Sequence, residues 1–275
     1  MARFKLTVEY DGAPFVGWQI QPNGPTVQSA LVEAIAAFSG ERVKVQGAGR
    51  TDTGVHASGQ VAHFDLSRDW DPEKIREALN YHLKPNPIAA ILVEAVDERF
   101  HARFSATGRR YLYRLLNRRA PPALDRGRVW HVMVPLDVDA MSAAAEVLEG
   151  HHDFNSFRST ACQSPTSMKT LDRLSVVKTG DEIHIEAAAR SFLHNQVRIL
   201  VGTLKMVGDG KWTKADVEAA LAACDRTRAG QTAPPDGLCL VEVRYDGSES
   251  GGSESGGSGS DGSGSSDTDE TIDEQ

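Results

Sequence analysis

The chain has 275 residues, 40% of them hydrophobic and 25% charged, with a formal net charge of −8; this length predicts about two domains and excludes a peptide hormone or a disulfide miniprotein. Nine of its 38 acids fall in residues 246–275, which hold no Lys or Arg, so the remainder carries 30 bases against 29 acids. The acidity belongs to the tail and does not exclude a nucleic-acid partner.

Phe4, Leu6, Val8 and Tyr10 alternate with Lys5, Thr7 and Glu9, the period-two pattern of a half-buried strand, and Asp11-Gly12 ends it as a turn. A continuously apolar core, as in a signal peptide, is not there. A helix is predicted from Thr26 to about Phe38: Thr26 can cap its free N–H groups, Val27, Leu31, Ala34, Ile35 and Phe38 form one apolar stripe, and Gly40 is the stop. Strands are expected at about 43–46 and 60–65. Asp71-Pro72 opens a second helix, with Ile75, Ala78, Leu79 and His82 inward, and the Pro-Asn-Pro run at 85–87 breaks it before a strand at 88–96. That strand is stopped by Glu94 as an apolar run, and no run reaches the roughly 20 apolar residues of a membrane span.

The second half reads in the same way. Residues 111–116 form a strand, Asp137 caps a helix over 138–149 that Gly150 closes, and 171–177 and 182–189 are strands around a Thr179-Gly180 turn. Val197, Leu200, Val201 and Leu204 recur at helical spacing within 193–207; a further helix spans 213–223, and 238–245 alternates as the last strand. The fold class is α+β, with two ferredoxin-like (RRM-like) βαββαβ halves, residues 1–104 and 105–245. Residues 246–275 hold nine Ser, eight Gly and nine acids, too little apolar surface to offset the entropy of ordering, so a disordered tail is expected. It reads either as an acidic brush, aiding solubility at high salt or competing with RNA for basic surface, or as a tolerated extension.

Cys162, Cys224 and Cys239 are widely spaced without any CxxC, which fits neither a disulfide framework nor a four-cysteine zinc site and points to a reducing cytoplasm. None of the nine histidines sits in HExxH and no Gly-x-Ser-x-Gly elbow occurs, which argues against a metalloprotease and a serine hydrolase. The densest local signal is the loop of residues 47–57, GAGRTDTGVHA. A dinucleotide fingerprint starting at Gly47 would need glycine where Asp52 stands, and no Gly-Lys-Ser/Thr follows as a phosphate loop requires. What remains is a glycine-bent loop carrying Asp52, with Arg50 two residues earlier as a cation that favours the ionised carboxylate if the two approach. Two readings of Asp52 stand: a nucleophile or general base, or a cap on backbone N–H groups in a tight turn.

Gly49–His56 resembles the catalytic loop of the A-type tRNA pseudouridine synthases, with Gly-Arg-Thr-Asp followed by Gly-Val-His. The likeness continues in chain order through Tyr10-Asp-Gly12, Gly17-Trp-Gln19, Phe100-His-Ala-Arg-Phe-Ser-Ala106, Arg109-Arg-Tyr-Leu-Tyr113, His152-Asp-Phe154, Ser156-Phe-Arg158, Phe192-Leu-His194, Val197-Arg198, Thr232-Ala-Pro-Pro235 and Gly237-Leu238. It covers about residues 3–245. Thr53 and Gln196 depart from the usual alanine and methionine and alter no charged or nucleophilic group.

The resemblance implies an isomerase that breaks the N-glycosidic bond of a uridine, turns the base and rejoins it through carbon, with no cofactor and no metal. It implies that Asp52 is the catalytic carboxylate, that Arg198 pairs with it, that Arg50 helps to displace the base, and that Tyr111 packs on the target uracil. Extruding a base from a stem costs a few kcal/mol, which an aromatic face can help to offset. The implied partners are the tRNA anticodon arm, at positions 38, 39 and 40, and a second copy of the chain in a homodimer, with no membrane. Residues 99–128 hold nine arginines and one acid, Asp125, with Tyr111, Tyr113 and Trp130 within or just beyond the segment, a composition suited to phosphate contact and stacking or to a solvated basic face. The competing readings are an RNA-binding or chaperone protein on the same fold, and a synthase acting on another RNA.

Overall fold

In the computed structural model, which describes residues 1–246, the alternating N-terminal segment is β1 (Ala2–Tyr10). Its buried residues Phe4, Leu6, Val8 and Tyr10 are those the alternation predicts. The first helix, α1 (Val27–Ser39), begins after Thr26, whose side chain accepts from the Ser29 N–H, and ends at Gly40 with φ 75°. After it comes β2 (Gln46–Gly47), only two residues where a strand over 43–46 was expected. Val45 is buried, and its carbonyl accepts from Gln28 Nε2 at 2.7 Å, so a side chain does there what a neighbouring strand would do.

The long β3 (His56–Leu66) leads to α2 (Pro72–His82), which buries Ile75 and Leu79. His82 is exposed rather than inward: its ring lies edge-on to Tyr81 at 5.0 Å, and the buried Leu83 takes the inward place. The next strand, β4 (Ile88–Val96), has the predicted bounds.

In the second half, β5 (Ala106–Leu116) is followed by the short β6 (Trp130–His131) and by α3 (Val138–Ala145). This helix is shorter than expected because Glu146–Leu148 tightens into a 3-10 turn before Gly150. An unpredicted strand, β7 (Gly150–Asp153), has no alternation and owes its existence to pairing with β8 (Met168–Thr179). After β9 (Glu182–Ala189), α4 (Gln196–Gly208) starts three residues later than predicted. Asn195 adopts φ 62°, and the Gln196 Oε1 accepts from the Leu193 N–H, which holds residues 193–195 as a lead-in rather than a helical turn. The chain then forms α5 (Lys214–Ala223) and β10 (Leu238–Tyr245).

The result is a mixed α+β architecture: a ten-stranded sheet in the order β4-β1-β3-β10-β5-β9-β8-β7, with β2 added to β3 and β6 to β5, and five α-helices. Two pairings are parallel, β5 with β6 and β10 with β3. The latter has only two residue pairs, Cys239 with His56 and Leu240 with Ala57, yet it joins the strands of the first half to those of the second. Across the joint runs one row of facing residues: Ile88, Tyr10, Ala57, Leu240, Tyr111, Ala187 and Leu174. All seven are buried, so this row is the spine of the core. No helix among the described residues is long and apolar enough to cross a membrane. The expectations for the tail lie outside the described residues, apart from Asp246.

Candidate active site

The loop before β3 is pinned almost residue by residue. Ala48 N–H donates to Val61 O at 2.7 Å, Gln60 Nε2 donates to Gly49 O at 3.0 Å, Trp18 N–H to Thr51 O at 3.0 Å, and Val55 N–H to Asp52 O at 3.1 Å. Tyr10 Oη and Thr51 Oγ1 lie 2.8 Å apart. Gly54 turns with φ 77°, and a Cβ there would meet Pro235 at 2.9 Å, so glycine serves both the conformation and the close approach. His56 closes the loop: its Nδ1 accepts from the Gly12 N–H at 3.0 Å, which leaves Nε2–H to donate to Gly127 O at 2.9 Å. The imidazole is a structural bridge.

Within this frame the Asp52 carboxylate stands opposite the N-terminal end of α4. His194 Nε2 is 3.2 Å from Oδ1, and Arg198 Nη1 is 3.9 Å from Oδ2. Arg198 is fixed by its own bonds, Nε–H to Ala233 O at 2.7 Å and Nη1–H to Asn195 Oδ1 at 3.0 Å. Burial raises the Asp52 pKa above the ordinary carboxylate value, while His194 and Arg198 pull in the opposite direction. Burial likewise lowers the Arg198 pKa, and Asp52 opposes it. A carboxylate made more basic by burial than one in water is also a stronger nucleophile.

Of the four residues singled out in the sequence, Asp52, Arg198 and Tyr111 come together around one small cavity of about 40 Å³, which Phe192, Leu193 and Leu238 also line. Tyr111 is buried in β5, with the Phe192 ring edge-on to it at 5.2 Å. Burial is the main cause of its raised pKa, with Tyr10 and Asp52 adding to it. Arg50 is exposed at the loop tip, and the ion-pairing partners of Asp52 are His194 and Arg198 instead. His194 is a participant that sequence reasoning left without a role; its place in the Phe192-Leu-His194 motif was the available signal.

The arginine-rich segment is less free than its composition suggests. Arg110 pairs with Glu186 and Glu242, Arg114 with Glu182 and Asp125, Arg118 with Asp181, and Arg128 with Asp11. Tyr113, expected as a stacking surface, is fully buried and donates to Pro234 O at 2.8 Å. Among the described residues no group of three or more His, Cys, Asp or Glu side chains is placed to hold a metal ion.

A family model described as tRNA pseudouridine synthase matches residues 6–105 and 144–246. A tRNA pseudouridine synthase A of Parvibaculum lavamentivorans is 56% identical over 246 residues, covering 90% of this chain and all of that protein. The protein of the same name from Rhodospirillum centenum is 59% identical over 245 residues, 89% of this chain and all of its own length. That of Rhodospirillum rubrum is 57% identical over 247 residues, 90% of this chain and 89% of its own. Among solved structures, a chain from a Cbf5-Nop10-Gar1 complex aligns with a TM-score of 0.35 and 12% identity, over 86% of this chain and 48% of that one.

Proposed function

This chain belongs to the tRNA pseudouridine synthase A family and is an isomerase that converts uridine to pseudouridine in tRNA; on that premise we propose that Asp52 is its nucleophile. The single observation that carries the proposal is the placement of the Asp52 carboxylate beside the cavity, 3.2 Å from His194 Nε2 and 3.9 Å from Arg198 Nη1. In the reaction the bond from the ribose to N1 breaks, a bond from the ribose to C5 forms, the C5 proton leaves to solvent and N1 gains one. Nothing is oxidised or hydrolysed, so the demand on the protein is a positioned carboxylate, a cation to keep it ionised and a surface for the turned base. Arg198 meets the second demand, with His194 Nε2 also 3.2 Å from the carboxylate, and the Tyr111 ring the third. Arg50, exposed at the loop tip, is the side chain that displaces the base from its stem.

The reading extends to the anticodon stem-loop, positions 38, 39 and 40, as the substrate and to a homodimer in the cytoplasm. The near-complete coverage of proteins named tRNA pseudouridine synthase A supports the first, and three free cysteines support a reducing compartment. Two ferredoxin-like halves, 1–104 and 105–245, are supported by the strand orders β4-β1-β3, with β2 on the outer side of β3, and β10-β5-β9-β8.

The test is release of tritium from C5 of labelled uridine in unmodified tRNA, parent against Asp52→Asn, with melting curves for both. The expected result is release by the parent and none by the variant. Because burial destabilises the Asp52 charge, the variant should melt at or above the parent temperature, so its inactivity is not unfolding. Release by Asp52→Asn at the parent rate overturns the assignment; release confined to uridines outside positions 38–40 overturns the anticodon reading alone.

A further inference from the structure

Arg109 is a buried guanidinium on β5, two residues before Tyr111 and on the same face of the strand. Its hydrogen bonds go to backbone carbonyls of three separate segments: Nη2–H to Ala48 O at 2.8 Å, Nη2–H to Arg103 O at 2.9 Å, and Nη1–H to Arg190 O at 2.5 Å. Burial lowers its pKa, and the titratable groups that bear on it most are Tyr245, Tyr111, Arg103 and Arg190, none of them a carboxylate. Burying a cation in this way is costly, and removing it would orphan three carbonyls, so the position is one of structural consequence.

The three carbonyls are not arbitrary points on the core. Ala48 stands at the entrance to the loop that carries Arg50 and Asp52. Arg190 follows β9 and opens the segment that carries Phe192, His194 and Asn195 into α4. Arg103 lies in the turn before β5, next to the exposed Phe104. The first two segments belong to opposite halves of the sheet, and they face each other across the cleft as Asp52 on one side and His194 and Arg198 on the other. Lysine could not reproduce this: a planar fork donates in several fixed directions at once, whereas an ammonium is a point charge. Arg109 does not line the cavity, so it acts on the reaction through other residues.

We propose that Arg109 is a positioning residue that sets the separation of the Asp52 loop from the His194 segment, a proposal that rests on Asp52 being the nucleophile. Misplacing reacting groups by about 1 Å costs on the order of 100-fold in rate, and this sets the size of the expected effect. Substrate affinity depends mostly on phosphate contacts, which Arg109, buried beneath the cleft, does not make. The loss should therefore fall on kcat and leave KM for tRNA nearly unchanged.

The experiment compares Arg109→Lys and Arg109→Met with Leu79→Ala, a core truncation in α2 outside the site, and with Asp52→Asn, all at a temperature where melting curves show each protein folded. Expected are a kcat loss of about 10-fold for Arg109→Lys and about 100-fold for Arg109→Met, with KM within about twofold, and no comparable kcat loss for Leu79→Ala at similar melting temperature. If Arg109→Met does not fold, Arg109→Lys decides. In a His194→Ala background Arg109→Lys should cost less than in the parent, because part of what it positions is already gone. Arg109 variants that lose melting temperature but keep kcat, or losses that add fully with His194→Ala, overturn this inference and leave Asp52 standing. Activity in Asp52→Asn would instead overturn the site reading itself.

Discussion

Gly202→Ala sets two physical effects against each other. The residue lies in α4, one turn beyond Arg198, where alanine would ordinarily stabilise a helix by about 0.5–1 kcal/mol. Here, however, a Cβ would stand 1.8 Å from Gln231 O and 2.9 Å from Gln231 C. The obstacle is backbone and cannot swing aside. It is also tied to the helix on both sides of the contact, by Gly230 N–H to Thr203 Oγ1 at 3.0 Å and Ala233 N–H to Arg198 O at 3.0 Å. Relieving the contact requires the 230–233 segment to retreat by about 1 Å or more, an overpacking cost of about 1–3 kcal/mol. Stretching those two bonds adds roughly 1 kcal/mol each. Against the propensity gain, the net loss is about 2–4.5 kcal/mol, which for a chain of this size lowers the melting temperature by about 4–18 °C. Since Arg198 Nε also donates to Ala233 O, the same retreat should draw the guanidinium from Asp52 and reduce single-turnover tritium release by up to about 100-fold. Gly208→Ala is the contrast: its Cβ would meet the Met141 thioether at 2.5 Å, a flexible end that can move, so its loss should be smaller. A Gly202→Ala protein that melts at or above the parent temperature would mean that propensity wins, and would refute the reasoning.

Three further outcomes follow from the geometry. His194→Ala removes one of the two groups that hold the Asp52 pKa down against burial, so the acid limb of the pH profile of kcat/KM should move to higher pH, with a greater loss at about pH 6 than at about pH 8; an unmoved limb would show that His194 does not act on the carboxylate. Glu182 has its pKa lowered to about 2, chiefly by the Arg114 hydrogen bond; that stabilisation is complete above the unfolded value near 4.3 and is lost as pH falls toward 2, so Arg114→Met should flatten the fall in melting temperature between about pH 5 and pH 2.5, and parallel curves would contradict this. Tyr113→Phe leaves the Pro234 carbonyl without the phenol and should lower stability by about 1–3 kcal/mol in denaturant melts; a change below about 0.5 kcal/mol would mean that water replaces the bond.

Local chemistry was legible wherever the cause is local. Thr26 and Asp71 cap their helices as read from the sequence, and the alternating residues of β1 are buried as alternation requires. The failures have non-local causes. The 43–46 segment lost its strand because the distant Gln28 side chain satisfies Val45, and β7 gained one because β8 lies alongside. The same division holds at the site. Asp52 was visible in its glycine-bent loop, and Arg198 through the Val197-Arg198 likeness to the family. The 3.2 Å approach of His194 to Asp52 joins residues far apart in the chain, and spacing carries no trace of it. Arg109 was matched in its motif without a role, because its partners are backbone carbonyls, which exist at every position and leave no mark in residue types.

The two-pair joint between β10 and β3 also governs when this protein can begin to work. Every other strand next to Asp52 or Tyr111 is in place once β9 has been made, yet β10, the last element of the sheet, is what sets β3 beside β5. A nascent chain on the ribosome carries the Asp52 loop from early in synthesis, whereas the strand that lies between β3 and β5 is complete only when residues 238–245 have cleared the exit tunnel. Interrupted translation, or loss of the final strand to a protease, therefore removes the one strand that links β3 to β5 in the sheet.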